Sequence, residues 1–237
     1  MSVDILIPTY NRKKFEKLIA HNINSQDYDN IRSVIVFDDG DKEQKLDLDI
    51  KVPLDYVYCK RCSIAEKRNQ LIKHSKAKYC VFFDTDDIYH PQRISSQIYL
   101  LQNRPRAWVT GSSDMLFFHI DEPPPVRIRS MRCVWQDYLN EATIAFERNK
   151  MLNRKFKEHI DQYGNHTGEG VEFLRNCRGH IAQCPIEFNM ICICHSSNTI
   201  PKNHLMVDKY IHPGDISSIV NQMILPVIDI LNEIKNS

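Results

Sequence analysis

Two short acidic clusters each stand directly behind an apolar run. Asp38 and Asp39 follow RSVIVF (32–37), and Asp84, Asp86 and Asp87 follow KYCVFF (78–83). If both runs are strands of one open α/β sheet, these carboxylates meet at its carboxyl edge, where such sheets bind ligands. Like charges gathered there need a cation between them. Oxygen donors suit Mg²⁺ or Mn²⁺, which keep several waters and borrow phosphate oxygens from a substrate. A D-x-D spacing also occurs in ordinary solvated turns, so it does not carry this reading alone.

The neighbouring segments add to it. PTYNR (8–12) follows the first apolar run, FDDGD (37–41) closes the second, Arg68-Asn69 precedes the fourth, and FFDTDDIYHP (82–91) follows it. In that order and spacing they resemble the family 2 glycosyltransferases of the GT-A fold, whose pattern is P-x-Y-N-R, V-D-D-G-S, A-R-N and F-L-D-x-D-D-x-x-x-P. The resemblance covers residues 1 to about 105. It implies an enzyme that moves a sugar from a nucleoside diphosphate to a hydroxyl acceptor, with Mn²⁺ or Mg²⁺ as cofactor. Carried over by position, it places Pro8, Thr9, Tyr10 and Arg12 along the nucleotide pocket. Asp39, with Asp38, accepts a hydrogen bond from the base, and Arg68 sits near the base or the phosphates. Asp86, with Asp84 or Asp87, reaches the ribose and the metal on the diphosphate.

The same resemblance implies inversion at the sugar, which needs a general base for the acceptor hydroxyl. In the family this is the Asp of an E-D pair opening a helix, with an Arg six residues on. Here the segment is GEGVEFLR (168–175). Registered on Arg175, Glu169 takes the place of the base, with Glu172 in reserve one turn along. Registered on the glutamate instead, Gly170 stands there and the base is missing. Glu169 also has a plain alternative role, complementing the helix dipole. His195 in HSSNT (195–199), with Asn198, resembles the element that completes the metal shell, and His212 is a weaker rival. Lys60, Arg61, Lys202 and Lys209 are further cations that spacing alone cannot place.

Elements that position these residues are readable from hydrophobic period. Strands are predicted over 3–9, 32–37, 54–59 and 78–83. A helix is predicted over 13–26 and another over 63–76, with Ser63 and Glu66 as a capping box. A third helix starts at Pro91. This alternation predicts an α/β fold, a mostly parallel sheet with helices on both faces. Beyond it, strands are expected over 107–119 and 126–134 around Pro123-Pro124-Pro125, then over 142–146 and 187–194, with a helix over 170–177. Residues 216–234 hold helical spacing with Pro226 as a kink or break. That amphipathic stretch is expected to pack on the domain, the alternative being a membrane-surface or partner helix. The resulting division is one GT-A-like domain over 1–204, its nucleotide half ending near 105, and a helical tail over 205–237.

Composition sets the outer limits. The chain has 237 residues, with Lys and Arg totalling 31 against 30 Asp and Glu, a net charge of +1. A generally basic nucleic-acid binder is not indicated. No apolar run approaches the roughly 18 residues that span a bilayer, and MSVDILIPTY lacks the basic start of a signal peptide. The expectation is a cytoplasmic protein, soluble or peripherally attached to a membrane, whose acceptor is an unspecified glycan, lipid or protein. The eight cysteines read as reduced thiols rather than a zinc site, since C-x-C at 192–194 lies in an apolar run. Two other classes stand beside the transferase. A nucleotidyltransferase would need a Gly-rich loop where this chain has PTYNRKK. A non-catalytic sugar-nucleotide binder would keep the donor motifs and lack the base.

Overall fold

The computed structural model describes residues 1–121, 128–131, 138–158, 168–195, 198 and 217–236. Its first half alternates as the sequence predicts. Strand β1 (Val3–Thr9) leads through a 3₁₀ turn into α1 (Glu16–Asn24). Then come β2 (Ile31–Asp38), β3 (Leu54–Tyr58), α2 (Ile64–His74), β4 (Tyr79–Phe82), a short β5 (Asp87–Tyr89) and α3 (Arg93–Asn103). The second half contributes β6 (Val109–Gly111), β7 (Met115–His119), β8 (Ile128–Met131), β9 (Ala145–Glu147), α4 (Arg148–Met151), α5 (Gly170–Leu174), β10 (Ile181–Gln183) and β11 (Met190–Cys194).

Seven strands form one sheet in the order β10-β6-β9-β4-β1-β2-β3. Only β9 runs against its neighbours, β4 and β6. A second sheet has the order β5-β11-β7-β8. The central strands β1, β2 and β4 are apolar on both faces because both faces are covered. Ile5 and Ile7 of β1 enter one core with Ile19 and Ile23 of α1 and Ile94 and Ile98 of α3. Leu6 points the other way, into a core with Leu71 and Ile72 of α2 and Phe173 of α5. Each such side chain contributes about 1.5–3 kcal/mol on burial. The one acidic residue inside β1, Asp4, is buried, and one of its two oxygens carries all of its hydrogen bonds. Its Oδ2 accepts from Arg32, the Ser75 hydroxyl and the N–H groups of Lys76 and Ala77, which fixes the end of α2 against β1.

At the start of α2, the Ser63 hydroxyl accepts from the Glu66 N–H at 3.1 Å. The reciprocal half of the capping box is not made; the Glu66 carboxylate takes the Gln70 amide instead.

Four expectations change. The strand expected over 187–194 begins only at Met190, because Ile186–Phe188 forms a 3₁₀ turn. The 107–119 segment is two strands in different sheets. The chain turns between them because the Ser112 carbonyl accepts from the Asn140 N–H and amide, while the Ser112 N–H donates to Thr143 Oγ1. A Cβ at Gly111 would lie 2.8 Å from that Oγ1, so glycine permits the approach. Residues 142–146 begin as a 3₁₀ turn, Glu141–Thr143, before β9. The 170–177 helix stops at Leu174. The triple proline and most of 126–134 lie outside the described residues.

The tail runs through α6 (Ser217–Ile219), a π turn (Val220–Ile224), a 3₁₀ turn (Leu225–Val227) and α7 (Ile228–Asn236). The irregular turns surround Pro226, which has no N–H for a regular ladder. Ile219, Met223, Ile224, Val227, Leu231 and Ile234 pack with Phe15, Leu18, Ile191 and Ile193 in a third core. Among the described residues, no helix is long and apolar enough to cross a membrane. The seven described cysteines are free thiols, five of them buried.

Candidate functional site

Three consecutive parallel strands, β4, β1 and β2, bring their carboxyl ends together. Thr9 ends β1 opposite Asp38 at the end of β2, and Pro8 lies one step inside. At this edge Asp38 is locked by its own surroundings. Its Oδ1 accepts from the Gly40 N–H at 2.9 Å and its Oδ2 from the Tyr56 hydroxyl at 2.5 Å. Burial and that carboxylate both push the Tyr56 phenol up, so Tyr56 is a standing donor.

Asp39 is buried between cations. Its Oδ1 accepts from Lys67 Nζ, and its Oδ2 accepts from Arg61 at 2.8 Å and from the Cys62 N–H at 3.0 Å. Burial alone would raise its pKa, but these hydrogen bonds and the Lys67 charge outweigh it and the net shift is downward. Lys67 also donates to the Thr9 carbonyl at 2.6 Å, tying α2 to the β1 edge. The Thr9 hydroxyl is buried without a hydrogen-bond partner. The Arg61 guanidinium lies 3.7 Å from the centre of the exposed Tyr10 ring, within reach of a cation–π contact. Lys60 beside it is exposed.

The second cluster divides by direction. Asp86 Oδ2 lies 3.5 Å from Arg12 and 3.3 Å from His195 Nε2. Burial opposes its ionisation, but the His195 hydrogen bond and the Arg12 charge hold its pKa below the ordinary value. His195 is itself fixed. Its N–H donates to Asn198 Oδ1 at 2.7 Å, the Asn198 amide meets its Nε2 at 3.1 Å, and its ring lies 4.9 Å from that of Phe15. Asp87 begins β5, and its Oδ1 accepts from the Ile193 N–H at 3.2 Å, joining β5 to β11. Asp84 faces the other way along the edge, toward Arg68.

Arg68 connects the two halves. It is 3% exposed, with its plane over the rings of Phe82 and Phe156. One nitrogen reaches both Asp84 oxygens at 3.2 and 3.3 Å, and its Nε donates to Glu169 Oε1 at 2.9 Å. Burial, which disfavours its charge, is outweighed by Asp84, Glu169 and Glu141, so its pKa is raised. Asp84 shifts up, chiefly through burial and with Asp86 and Glu169 adding to it, against Arg68. Glu172 is partly buried and pairs with the exposed Arg175.

The predicted residues therefore gather into one group at the ends of β1 and β2 (Pro8, Thr9, Tyr10, Asp38, Asp39, Arg61), a second around Asp86 (Arg12, Asp86, His195, Asn198) and a bridge (Arg68, Asp84, Glu169). Lys202, Lys209 and His212 lie outside the described residues. Sequence reading passed over Lys67, Tyr56 and Glu141. Lys67 had a signal, since it stands where the A-R-N pattern has Ala.

The divalent cation implied by the resemblance meets a compatible donor set. One carboxylate and one imidazole nitrogen, Asp86 and His195, suit Mn²⁺, and an ion of this kind takes its remaining ligands from water and phosphate. No cluster of three or more His, Cys, Asp or Glu forms a protein-only cage among the described residues.

A mostly parallel sheet with carboxylates at its strand ends, backed by a small second sheet that carries the histidine, defines the GT-A class of fold. Residues 4–174 match glycosyl transferase family 2, and the chain belongs to that family. An uncharacterised glycosyltransferase of Rickettsia prowazekii (strain Madrid E) is 32% identical over 101 residues, which are 42% of this chain and 31% of that protein. The Escherichia coli protein WfaP, a UDP-Glc:alpha-D-GlcNAc-diphosphoundecaprenol beta-1,3-glucosyltransferase, is 31% identical over 106 residues, 42% of this chain and 41% of its own. The matched stretch thus spans well under half of these curated relatives. Among solved structures, Staphylococcus aureus TarS 1–349 with UDP-GlcNAc superposes with a TM-score of 0.56 at 14% identity, covering 84% of this chain and 60% of that one. The Pyrobaculum calidifontis mannosyltransferase PcManGT, with GDP-Man and Mn²⁺, gives 0.55 at 17% identity, covering 86% and 58%.

Proposed function

We propose that this chain is a divalent-cation-dependent, inverting glycosyltransferase. It takes a sugar from a nucleoside diphosphate, of the UDP class, and passes it to a hydroxyl acceptor. The observation that carries the reading is the Arg68 bridge. A buried guanidinium holds Asp84, at the donor edge, and Glu169, at the start of α5, in one hydrogen-bonded line. That line brings a carboxylate from the second half of the chain to the end of the nucleotide half. The UDP class is supported by the name of the WfaP relative.

In this reading Tyr10, Asp38 and Asp39 face the base. Because Arg61 already contacts both Tyr10 and Asp39, a base that stacks on Tyr10 and bonds Asp39 displaces Arg61. Asp86 and His195 would hold the cation, which supplies positive charge for the diphosphate leaving group. Arg12 adds a second positive charge at Asp86. Glu169 accepts the proton of the acceptor hydroxyl as the acceptor oxygen bonds to the anomeric carbon. The bond from that carbon to the phosphate oxygen breaks, and the nucleoside diphosphate departs with its electron pair. Arg68 holds one oxygen of Glu169 in place. The acceptor itself is an undefined glycan, lipid or protein hydroxyl, and the chain is soluble or peripheral to a membrane in the cytoplasm.

The test begins with sugar nucleotides, with and without Mn²⁺, to find the donor by thermal shift. Glu169→Gln should then leave donor and cation binding within about twofold and lower transfer by roughly 10² to 10⁴, the contribution of a general base. A parent protein that binds donor with Mn²⁺ but transfers to no acceptor would make the chain a binder. A fully active Glu169→Gln would move the base elsewhere.

A further inference from the structure

Glu169 stands between two glycines, and both are required by the same neighbour. A Cβ at Gly168 would lie 2.9 Å from Glu141 Oε1 and 2.9 Å from the Tyr138 hydroxyl; one at Gly170 would lie 2.9 Å from Glu141 Oε1 and 3.0 Å from its Cγ. Gly168 also has a φ of +22°, where side chains are rarely found. The space left by the two glycines is filled by the Glu141 carboxylate. It accepts from the Gly170 N–H at 2.9 Å and from the Tyr138 hydroxyl at 3.2 Å.

Glu169 is the N-cap of α5 yet makes no side-chain capping bond; the N–H of the next residue, Gly170, is held by Glu141. Glu169 Oε1 is then available to Arg68, and its Oε2 accepts no hydrogen bond among the described residues. Glu141 bears a cost for its position. Burial first, and the charge of Glu169 next, raise its pKa, against the Gly170 N–H and the Arg68 charge.

Resting on the reading of Glu169 as base, we propose that Glu141 is the positioning residue for Glu169: by capping Gly170 in the space that Gly168 and Gly170 leave open, it fixes the main chain of 168–170 and aims the Glu169 carboxylate at the acceptor hydroxyl. Glu141 touches neither donor nor acceptor. Its effect belongs to kcat, because a displaced base loses alignment with the acceptor while the donor site is undisturbed.

The experiment is steady-state kinetics and UDP–Mn²⁺ calorimetry on four variants. Glu141→Ala removes the capping oxygen and should lower kcat at least tenfold, with donor KM and UDP–Mn²⁺ affinity within twofold of the parent. Glu141→Gln keeps an acceptor oxygen for the Gly170 N–H and should recover most of that loss. Gly170→Ala leaves Glu141 in place but pushes its carboxylate aside, and should resemble Glu141→Ala. In a Glu169→Gln background, Glu141→Ala should lower kcat no further. A Glu141→Ala variant with parental kcat would overturn the proposal. So would a Glu141→Gln variant as impaired as Glu141→Ala, since charge rather than the capping bond would then be responsible. If Glu141→Ala does not fold, as judged by circular dichroism, the contrast between Glu141→Gln and Gly170→Ala decides: equal activities sink the idea. Failure of the base reading is separate, since it shows as an active Glu169→Gln.

Discussion

Asp39 and Glu141 are both carboxylates removed from water, and the protein treats them in opposite ways. Asp39 is given two cations and a main-chain N–H, so its folded pKa falls below the ordinary 3.8. A carboxyl group lowered on folding contributes stability that is complete above its unfolded pKa and lost as pH falls through the folded one. Glu141 and Asp84 are raised, so their sign is reversed: their ionisation works against folding at neutral pH and is relieved on acidification. Urea unfolding between pH 7 and pH 3 should therefore show Asp39→Asn with a flatter loss of stability below about pH 4 than the parent, and Glu141→Gln with a steeper one at higher pH, above the ordinary glutamate value, where Glu141 takes up its proton in the folded state first. Parallel curves for parent and Asp39→Asn would show that Lys67 and Arg61 give Asp39 no net benefit. The two carboxylates also differ in how visible they were. Asp39 could be read from the strand-end motif. Glu141 could not, because it sits in a short 3₁₀ turn and its meaning depends on a contact with Gly170, 29 positions away.

At the scale of elements, legibility followed length and pattern. β1, β2, β4 and α2 have long apolar runs or full helical faces, and each was placed to within a residue or two. β5 and β10 are three residues each, too short for any period to show. The break between β6 and β7 was hidden because it is made by polar bonds from Asn140 and Thr143, about thirty positions on. The start of α2 matters most for the site, since Lys67 and Arg68 lie in its first turns. Its cap is a single bond from the Glu66 N–H to the Ser63 hydroxyl. Ser63→Ala should cost about 1 kcal/mol in urea unfolding, the usual value of an N-cap. Ser63→Asp should recover most of it, because aspartate also caps and complements the dipole. A loss well above 2 kcal/mol would mean that Ser63 holds more than the helix end.

For the whole molecule, the question is whether the tail is an appendage or part of the folding unit. Its apolar face, Ile219 to Ile234, shares a core with Phe15 and Leu18 and with Ile191 and Ile193 of β11. Phe15 packs on the ring of His195, and Gln222 of the π turn bonds His90, next to β5, at 2.8 Å. The tail thus lies behind the elements that hold Asp86 and His195. An exposed ion pair across this contact, Lys17 with Glu233, is of the kind that contributes less than about 1 kcal/mol, so the shared core is expected to carry most of the attachment. Leu231 is 1% exposed. If the tail folds with the rest, Leu231→Ala should lower the stability of the whole chain by about 2–5 kcal/mol, with a single urea transition, while Glu233→Ala should be nearly silent. UDP affinity with Mn²⁺ should fall more in Leu231→Ala than UDP affinity in EDTA, since the loosened core bears on Phe15 and His195 and not on Asp39. A tail that merely rests on the surface would behave differently. Its hydrogen exchange would quicken in Leu231→Ala while the urea midpoint and the Mn²⁺-dependent affinity stayed where they are in the parent.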